Sequence, residues 1–299
     1  MDRKEFGELL SALRQDMSWT QFQLAEYSGV DHAVISQIER GVKKYFEPEL
    51  LFCLANALQF TTLERREFVL AASGLNERQI VRQPSEGMTT DVFNPRKIAE
   101  RMMTLTGQIR IPAFLVDVYS DVVAANHIML ALYEVPPSII VTAANTPGGY
   151  NTTRLNFGRD SLARTIIANN WEDYALNSMR SFRETSLQYR AKPYFKYLMK
   201  AFRNPVEYPY FDRVWKLVSS MERDKEVNID QFSYEHSRFG LLNYVASTTT
   251  GAVTSFGELI LVQNLPLDQR TEDVFHQLQL EAGCGVVRFA PWPEKPMPR

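Results

Sequence analysis

The stretch "TQFQLAEYSGVDHAVISQIERG", residues 20–41, restricts the fold more than any other part of the chain. It holds two short segments of helical periodicity with only Gly29 and Val30 between them. Thr20 and Asp31 precede these segments, and both are residue types that cap helix N-termini. Gly29 can supply the left-handed conformation with which helices commonly end. The spacing therefore predicts two short helices joined by a tight turn.

Helical periodicity continues on both sides of this stretch. "FGELLSALRQDM" places apolar residues three and four positions apart, which predicts a first helix. "LLFCLANAL" and "TTLERREFVLAASG" predict a fourth and a fifth helix, the last ending at Gly74. Residues 1–75 are thus predicted to form an all-α domain of five helices. The second helix is expected to carry Phe22, Leu24 and Ala25, and the third is expected to face Val34, Ile35 and Ile38 inward.

A set of residues at fixed spacing defines this segment further: Gln21, Leu24, Ala25, Gly29, Val30, Ile35, Ser36, Glu39 and Gly41. The pattern resembles the lambda-repressor-like, Cro/C1-type (XRE-like) helix-turn-helix, and the resemblance covers residue 6 to about residue 70. It implies that the third helix enters the major groove of double-stranded DNA. The residues that the resemblance places at DNA are Gln21, His32, Ala33, Ser36, Gln37, Arg40, Lys43 and Lys44.

Gln37 is the strongest candidate for reading a base. Its amide can form the two-pronged contact to adenine, and the methyl group of Ala33 could pack on a thymine methyl. The resemblance assigns Gln21 to a phosphate, and it places the basic residues after the third helix along the DNA backbone. The alternative is that Gln37 is merely a solvated helix residue.

Charge limits how the N-terminal domain can bind DNA. Its first 83 residues carry ten Lys and Arg against twelve Asp and Glu, and the whole chain has a formal net charge of −2. Non-specific binding is therefore expected to be weak, with a dissociation constant on the order of 10⁻⁴ M or poorer. We expect a homodimer that binds two half-sites about 34 Å apart.

The remainder of the chain has a different character. Residues 76–95 lose the helical period and gather Pro, Gly, Ser and Thr, which predicts a linker. "IPAFLVDVYSDVVAAN" predicts two strands around a turn at Ser120 and Asp121, and "HIMLALY" predicts a short helix after them. Helical sequence interrupted by prolines then covers residues 155–222.

Strand patterns return late in the chain. "FGLLNYVAST" and "GELILVQNL" predict an antiparallel hairpin around the turn-rich "TTGAVTSF", and a last helix is expected near "TEDVFHQLQ". Residues 96–290 are thus predicted to form an α+β domain with an antiparallel sheet and several helices. Residues 291–299 hold four prolines and are predicted to form a loose tail.

Three stretches of this second region carry another resemblance: "PAFLVDVYSDVVAANHIMLALY", "NFGRDSLARTIIANNWEDYALNSMRSFR" and "NPVEYPYFDRVWKLV". They resemble the MmyB-like ligand-binding domain, and the match extends over roughly residues 110–280. The resemblance implies a PAS-like domain that binds a small apolar molecule, and a fatty acid is the ligand that it suggests. The rival interpretation is a ligand-free module for dimerisation or protein interaction.

The residues themselves give the ligand hypothesis modest support. Nine aromatic residues lie between residues 189 and 215, and such side chains line ligand pockets as well as ordinary cores. Arg154, Arg159 and Arg190 could bind a carboxylate head group. Asn126 fits a helix cap better than a ligand contact. The full set of candidate ligand-binding residues is Phe114, Asn126, Arg154, Arg159, Trp171, Tyr174, Arg190, Tyr194, Phe211, Trp215 and Tyr244.

Other functional classes find little support in the sequence. Cys53 and Cys284 lie far apart, and the four histidines have no neighbour at metal-ligand spacing, so neither a disulfide nor a zinc site is expected. No G-x-S-x-G or phosphate-loop motif is present, and we expect no catalysis. Glu64 and Glu67 are assigned to a solvated helix face. The chain is expected to be cytoplasmic and not membrane-bound.

Overall fold

The structure of the protein is a computed structural model that describes residues 1–74, 94–144, 148–159, 171–220, 231–254, 257–295 and 297. These residues form two compact units. Within the described part of the chain, the first unit consists of residues 1–74, 180–201 and 215–220. The second unit consists of the other described residues. The N-terminal helices therefore share one unit with segments that lie more than a hundred residues later.

The described helices are numbered in chain order. They are α1 (Arg3–Asp16), α2 (Gln21–Ser28), α3 (His32–Glu39), α4 (Pro48–Ala57), α5 (Thr62–Ser73), α6 (Pro95–Gln108), α7 (His127–Leu132), α8 (Pro137–Ala144), α9 (Thr152–Phe157), α10 (Trp171–Ser186), α11 (Pro193–Phe202), α12 (Phe211–Ser220) and α13 (Gln269–Ala282). A 3₁₀ turn, Leu187–Tyr189, follows α10. The strands are β1 (Ala113–Asp117), β2 (Val122–Asn126), β3 (Gln231–His236), β4 (Gly240–Thr254), β5 (Gly257–Pro266) and β6 (Val286–Arg288).

The predicted caps and turn are present in the N-terminal helices, which we call the head (residues 1–74). The side chain of Thr20 accepts a hydrogen bond from the backbone N–H of Gln23, and that of Asp31 accepts one from Ala33. Gly29 ends α2 with φ at 67°, in the left-handed region that glycine adopts without strain. The two helices of the turn thus begin and end where the local sequence places them.

Apolar side chains from all five helices meet in one core. The largest of them are Phe6, Leu9, Leu10, Leu13, Leu24, Ile35, Ile38, Leu51, Leu54, Leu58, Phe60 and Phe68. Each such side chain stabilises the fold by about 1.5–3 kcal/mol when it is fully buried. Phe22 of α2 is not part of this core, and it is 69% exposed. Phe22 lies two residues before Leu24, and that spacing puts the two side chains on opposite faces of α2.

Later segments complete the first unit. It takes in α10 from Arg180 onward, the 3₁₀ turn, most of α11, and α12 from Trp215 onward. Leu187, in the 3₁₀ turn, is buried in the same core as the head helices. The ring of Phe182 packs against those of Phe195 and Trp215, at centroid distances of 5.9 and 6.1 Å. The head core is therefore closed partly by residues from far along the chain.

The second unit is built on an antiparallel sheet, which confirms the predicted α+β class. Its described strands follow the order β3-β4-β5-β1-β2-β6. The predicted hairpin of β1 and β2 is present, with the turn at Ser120 in the left-handed region. On one part of the sheet, α7 and α13 pack Ile128 and Phe275 against Tyr244. On another, α6 packs Met103 against Leu115.

Several elements differ from the sequence prediction. Strand β4 extends through Thr254, so most of the supposed turn "TTGAVTSF" is strand, as its Thr and Val content favours. The register shifts between Thr250 and Ala252, where a bulge absorbs an extra residue. Helix α6 and strand β3 were not predicted. Most of the predicted linker, residues 76–93, lies outside the described residues, and Asn94 caps α6.

The predicted loose tail is packed against the second unit at its start. Trp292 contacts the apolar cluster that contains Leu115. Lys295 forms ion pairs with the buried carboxylates of Asp117 and Asp121. The prediction failed because the prolines suggested an extended segment, whereas the decisive contacts are made by the residues between them.

Candidate nucleic-acid interface and ligand-binding region

The third helix presents two different faces. Ile35 and Ile38 are buried in the head core, while the side chains of His32, Ala33 and Gln37 are exposed. Asp31 accepts a hydrogen bond of 2.6 Å from the backbone N–H of Ala33 and so fixes the start of the helix. Such a helix, anchored on one side and bare on the other, has the geometry needed to enter a DNA groove.

The other predicted DNA-contact residues lie around this face. Arg40 and Lys44 are exposed, and Gln21, Ser36 and Lys43 are half-buried. The Gln21 side-chain amide donates a hydrogen bond of 2.8 Å to the Glu39 carboxylate. Gln21 is therefore held in place by the end of α3.

An ion pair that the sequence reasoning missed joins α1 to α3. The guanidinium of Arg14 donates two hydrogen bonds to the carboxylate of Glu39, at 2.6 and 2.9 Å, and a third to the carbonyl of Trp19. With Gln21 on the same carboxylate, one group connects α1, α2 and α3. Two-pronged Arg–carboxylate pairs of this kind fix orientation as well as distance. The network holds α3 at a defined angle to α1 and α2.

Gly7 allows α1 to approach the end of α3. A Cβ atom at this position would lie 2.4 Å from the carbonyl oxygen of Ile38 and 2.6 Å from that of Glu39. We expect Gly7→Ala to lower the free energy of unfolding of the first unit by about 1–3 kcal/mol, because neither backbone can move away freely. Urea unfolding followed by circular dichroism measures this. Ala12→Gly, on the same helix, is the control for propensity and is expected to cost about 1 kcal/mol.

A second ion-pair network is buried inside the first unit. Glu64, on α5, is fully buried, and its carboxylate accepts hydrogen bonds from Arg183 at 3.1 and 3.1 Å and from Arg190 at 2.5 Å. Both guanidinium groups also lie over the ring of Trp215, at 5.0 and 5.1 Å from its centroid. The assignment of Glu64 to a solvated face is therefore wrong.

The charges in this network determine its protonation state. Burial by itself would raise the pKa of Glu64, but the nearby charges of Arg190 and Arg183 hold that pKa below its usual value. Burial lowers the pKa of Arg190, and the Glu64 charge opposes that shift. Because Arg190 is paired with Glu64, its predicted role at a ligand carboxylate is corrected to a structural one. Trp215 and Tyr194, two other ligand candidates, also lie in the first unit and are buried.

Ligand candidates of the second unit fall into two aromatic groups. In one, Phe157 packs edge-on against Trp171 and Phe211, at centroid distances of 6.2 and 5.9 Å. In the other, the Phe232 ring lies 5.1 Å from that of Tyr174 and 5.5 Å from that of Tyr244. Trp171 and Phe211 thus both contact the ring of Phe157. Tyr174 and Tyr244 both contact the ring of Phe232.

Polar groups are buried beside the second aromatic group. The hydroxyls of Tyr133 and Tyr244 are hydrogen-bonded at 2.6 Å, and the side-chain amide of Asn264 donates to the Tyr133 hydroxyl at 3.4 Å. Burial raises the pKa of both tyrosines, so their hydroxyls remain neutral donors and acceptors. Tyr174 donates to the Asn156 side chain at 2.7 Å. Tyr133 and Asn264 were missed because nothing near them in sequence marks them as polar core residues.

The remaining ligand candidates lie elsewhere in the second unit. Asn126 caps α7 by accepting from the backbone N–H of Met129, and its amide donates to the carbonyls of Ile109 and Ile111. Its candidate ligand role is therefore replaced by the cap that the sequence favoured. Phe114 is half-buried in β1, Arg154 is half-buried in α9, and Arg159 is exposed.

Comparisons with known proteins agree with this architecture. A family model described as the MmyB-like transcription regulator ligand binding domain matches residues 99–278. A helix-turn-helix model matches residues 10–65. The chain belongs to the MmyB-like transcription regulators. Both resemblances drawn from the sequence are thereby confirmed.

One relative of this MmyB-like regulator matches a short part of the chain. Over 56 residues it is 46% identical to the HTH-type transcriptional repressor RghR of Bacillus subtilis (strain 168). The match covers 19% of this chain and 42% of that relative, so it spans less than half of the length of the curated protein. Among the described helices of the regulator, none combines the length and the apolar character that crossing a bilayer requires.

Proposed function

We propose that this regulator binds a specific operator as a homodimer through α3, and that its ligand-binding region controls this binding by accepting an apolar small molecule. The observation that carries the first part is the exposed face of α3, with His32, Ala33 and Gln37 outward and the isoleucines buried. Arg40 and Lys44, exposed after these residues, supply positive charge for the DNA backbone. A transcription regulator that acts this way would work in the cytoplasm.

We expect a dimer because the charge of the chain gives a single head little attraction for DNA. The net charge of −2 provides no broad electrostatic attraction, so a single head is expected to bind a half-site weakly. When one head of a dimer binds its half-site, the second head is held near the other half-site at a high effective concentration. The combined affinity can then increase by about 10²–10⁴-fold. The ligand-binding region would then act by changing the distance or the angle between the two heads of the dimer.

The base-reading role of Gln37 has a direct test. We expect Gln37→Ala to weaken binding to a selected operator by about 1–3 kcal/mol and to relax the preference for one base pair, because the two-pronged amide contact is lost. Operator sequences selected from random DNA and gel-shift titration measure both effects. Lys44→Ala should weaken binding to all DNA sequences alike, since a phosphate contact carries no sequence information. Unchanged preference in Gln37→Ala would exclude it as a reader.

The ligand class is supported by the aromatic groups of the second unit and by the neutral hydroxyls beside them. Such surroundings suit an apolar body with a polar end, and a fatty acid has this chemistry. The test is to extract the purified full chain with organic solvent and to identify the released molecules by mass spectrometry. A stoichiometric fatty acid supports the proposal. If nothing is released, and if added fatty acids of 12–18 carbons do not raise the melting temperature, the ligand-free dimerisation module is supported instead.

A further inference from the structure

The Glu64 network connects the head to the end of the ligand-binding region's helix α10. Glu64 belongs to α5 of the head, whereas Arg183 is in the last turn of α10 and Arg190 follows the 3₁₀ turn. Both arginines lie within residues 99–278, the range of the ligand-binding family model. The Arg183 guanidinium also donates to the Trp215 carbonyl, and that of Arg190 donates to the Arg183 carbonyl. One carboxylate of the head thus binds two arginines of the later region, and Arg183 connects this pair to Trp215 of α12.

Further contacts surround this centre and join α5 to α10 and to the 3₁₀ turn. Thr61, which caps α5, donates from its hydroxyl to the Glu184 carboxylate at 2.6 Å. The side-chain amide of Gln188 donates to the Glu67 carboxylate, also at 2.6 Å. We call the three residues Glu64, Arg183 and Arg190 the latch, and these two hydrogen bonds its outer contacts. Together they fix the rotation of α5 on the end of α10.

Buried charged groups such as those of the latch contribute little net stability to a fold. Burying one carboxylate and two guanidinium groups has a large desolvation cost, and apolar side chains of similar volume often stabilise a core as well or better. The distinctive property of the latch is directional, because two-pronged charged hydrogen bonds tolerate little rotation. Helix α10 is continuous from Trp171 to Ser186, and its residues up to Met179 belong to the second unit. The two arginines of the latch thus lie in the last turn of this helix and just after the 3₁₀ turn that follows it.

We propose that Glu64, Arg183 and Arg190 are positioning residues for operator binding, which hold the head on α10 at the angle that sets the spacing of the two recognition helices in the dimer. This inference rests on the proposed function, since spacing matters only to two heads on one operator. An intact latch makes the dimer select one half-site spacing. A loosened latch leaves each head competent to bind a half-site but removes the selection.

The experiment compares three DNA molecules built from one selected half-site. They carry a single half-site, two half-sites at the selected spacing, and two half-sites with about half a helical turn added. The full chain is expected to prefer the selected spacing over the altered one by about 100-fold, because only one geometry allows both heads to bind. Arg190→Met, which keeps the Arg183–Glu64 pair, is expected to bind both two-site molecules within about threefold of each other. Its affinity for the single half-site should stay within about twofold of the parent value.

A second variant and a control separate positioning from simple stability. Gln188→Ala removes one outer contact from the rim of the latch and is expected to reduce spacing selectivity by about threefold, with half-site binding unchanged. Arg238→Gln, which removes an exposed ion pair with Glu281 in the second unit, is the control and should change nothing. Thermal melting of every variant accompanies the titrations.

The outcomes differ for the latch and for the proposed function. Full spacing selectivity in folded Arg190→Met overturns the latch proposal, and so does a loss of half-site binding that parallels a loss of folding in both variants. If Arg190→Met does not fold, unchanged selectivity in Gln188→Ala overturns it. If the unmodified chain gains nothing from a second half-site, the homodimer part of the proposed function fails. If no sequence is selected at all, specific DNA binding fails.

Discussion

Replacing the carboxylate of Glu64 by an amide, Glu64→Gln, is expected to lower the free energy of unfolding of the first unit by about 3–5 kcal/mol. The variant keeps the shape of the side chain but removes the Glu64 charge that the buried guanidinium groups of Arg183 and Arg190 both face. Removing one partner of a buried ion pair costs much more than the pair itself contributes, because the desolvation of the other partner is no longer offset. Urea unfolding at pH 7, followed by circular dichroism, measures the change.

The matched control is Glu67→Gln, three residues along the same helix. Glu67 is only half-buried and accepts one hydrogen bond from Gln188, so its loss of charge should cost less than about 1 kcal/mol. A triple variant, Glu64→Leu with Arg183→Met and Arg190→Met, should recover most of the stability, because the three buried charges of the latch are removed together. Equal losses in Glu64→Gln and Glu67→Gln would show that the buried charges are not the cause.

The pH dependence gives an independent check on Glu64. Its pKa is held below the ordinary value of 4.5 in the folded chain, so the folded state holds its proton less tightly than the unfolded state does. The resulting stabilisation is fully present above about pH 4.5 and is lost as the pH falls through the lowered pKa. Glu64→Gln lacks this contribution, and the stability difference between it and the unmodified chain should shrink below pH 4.5.

The head was predictable because its information is local. Thr20, Asp31 and Gly29 act within three residues of their own positions, and the caps and the turn appear where the sequence places them. Phe22 lies in the predicted second helix, and its position opposite Leu24 puts it on the exposed face of α2.

The contacts of the latch could not be predicted from the local sequence. The partners of Glu64 lie 119 and 126 residues later in the chain, and no spacing rule connects residues so far apart. One signal was nevertheless available. Glu64 precedes Phe68 and Ala71 by four and seven residues, so it lies on the apolar stripe of α5 and not on its solvated face. A charge at that position requires a buried partner of opposite sign.

The ligand-binding region was predictable as a class but not as a site. Its strands and helices follow from periodicity, and the sheet confirms the α+β fold. The aromatic-rich stretch between residues 189 and 215 suggested one lining, yet the structure assigns Tyr194 and Trp215 to the first unit and Phe211 to the second. Aromatic residues fill a core and line a pocket with the same chemistry, so composition alone could not separate these positions.

Removing the ammonium group of Lys295 is expected to produce the other large loss of stability, this time in the second unit. Lys295 is buried between the carboxylates of Asp117 and Asp121. Lys295→Met keeps the apolar stem but removes the ammonium group that the two buried carboxylates face, which should cost about 3–5 kcal/mol at pH 8. Arg96→Gln, which breaks the exposed pair with Glu294, is the control and should cost less than about 1 kcal/mol.

The loss in Lys295→Met should depend on pH in a defined direction. Burial raises the pKa of Asp117 from 3.8 to about 6 even with Lys295 beside it, and the charge of Asp121 adds to this rise. Without Lys295 the pKa rises further, so the folded state binds protons that the unfolded state has released. Below about pH 6 the folded parent chain also holds the Asp117 proton, so the penalty grows only as the pH rises above about 6 and is smaller at pH 5 than at pH 8. Urea unfolding at these two values measures it, and an equal loss at both would mean that packing, not charge, holds this segment in place.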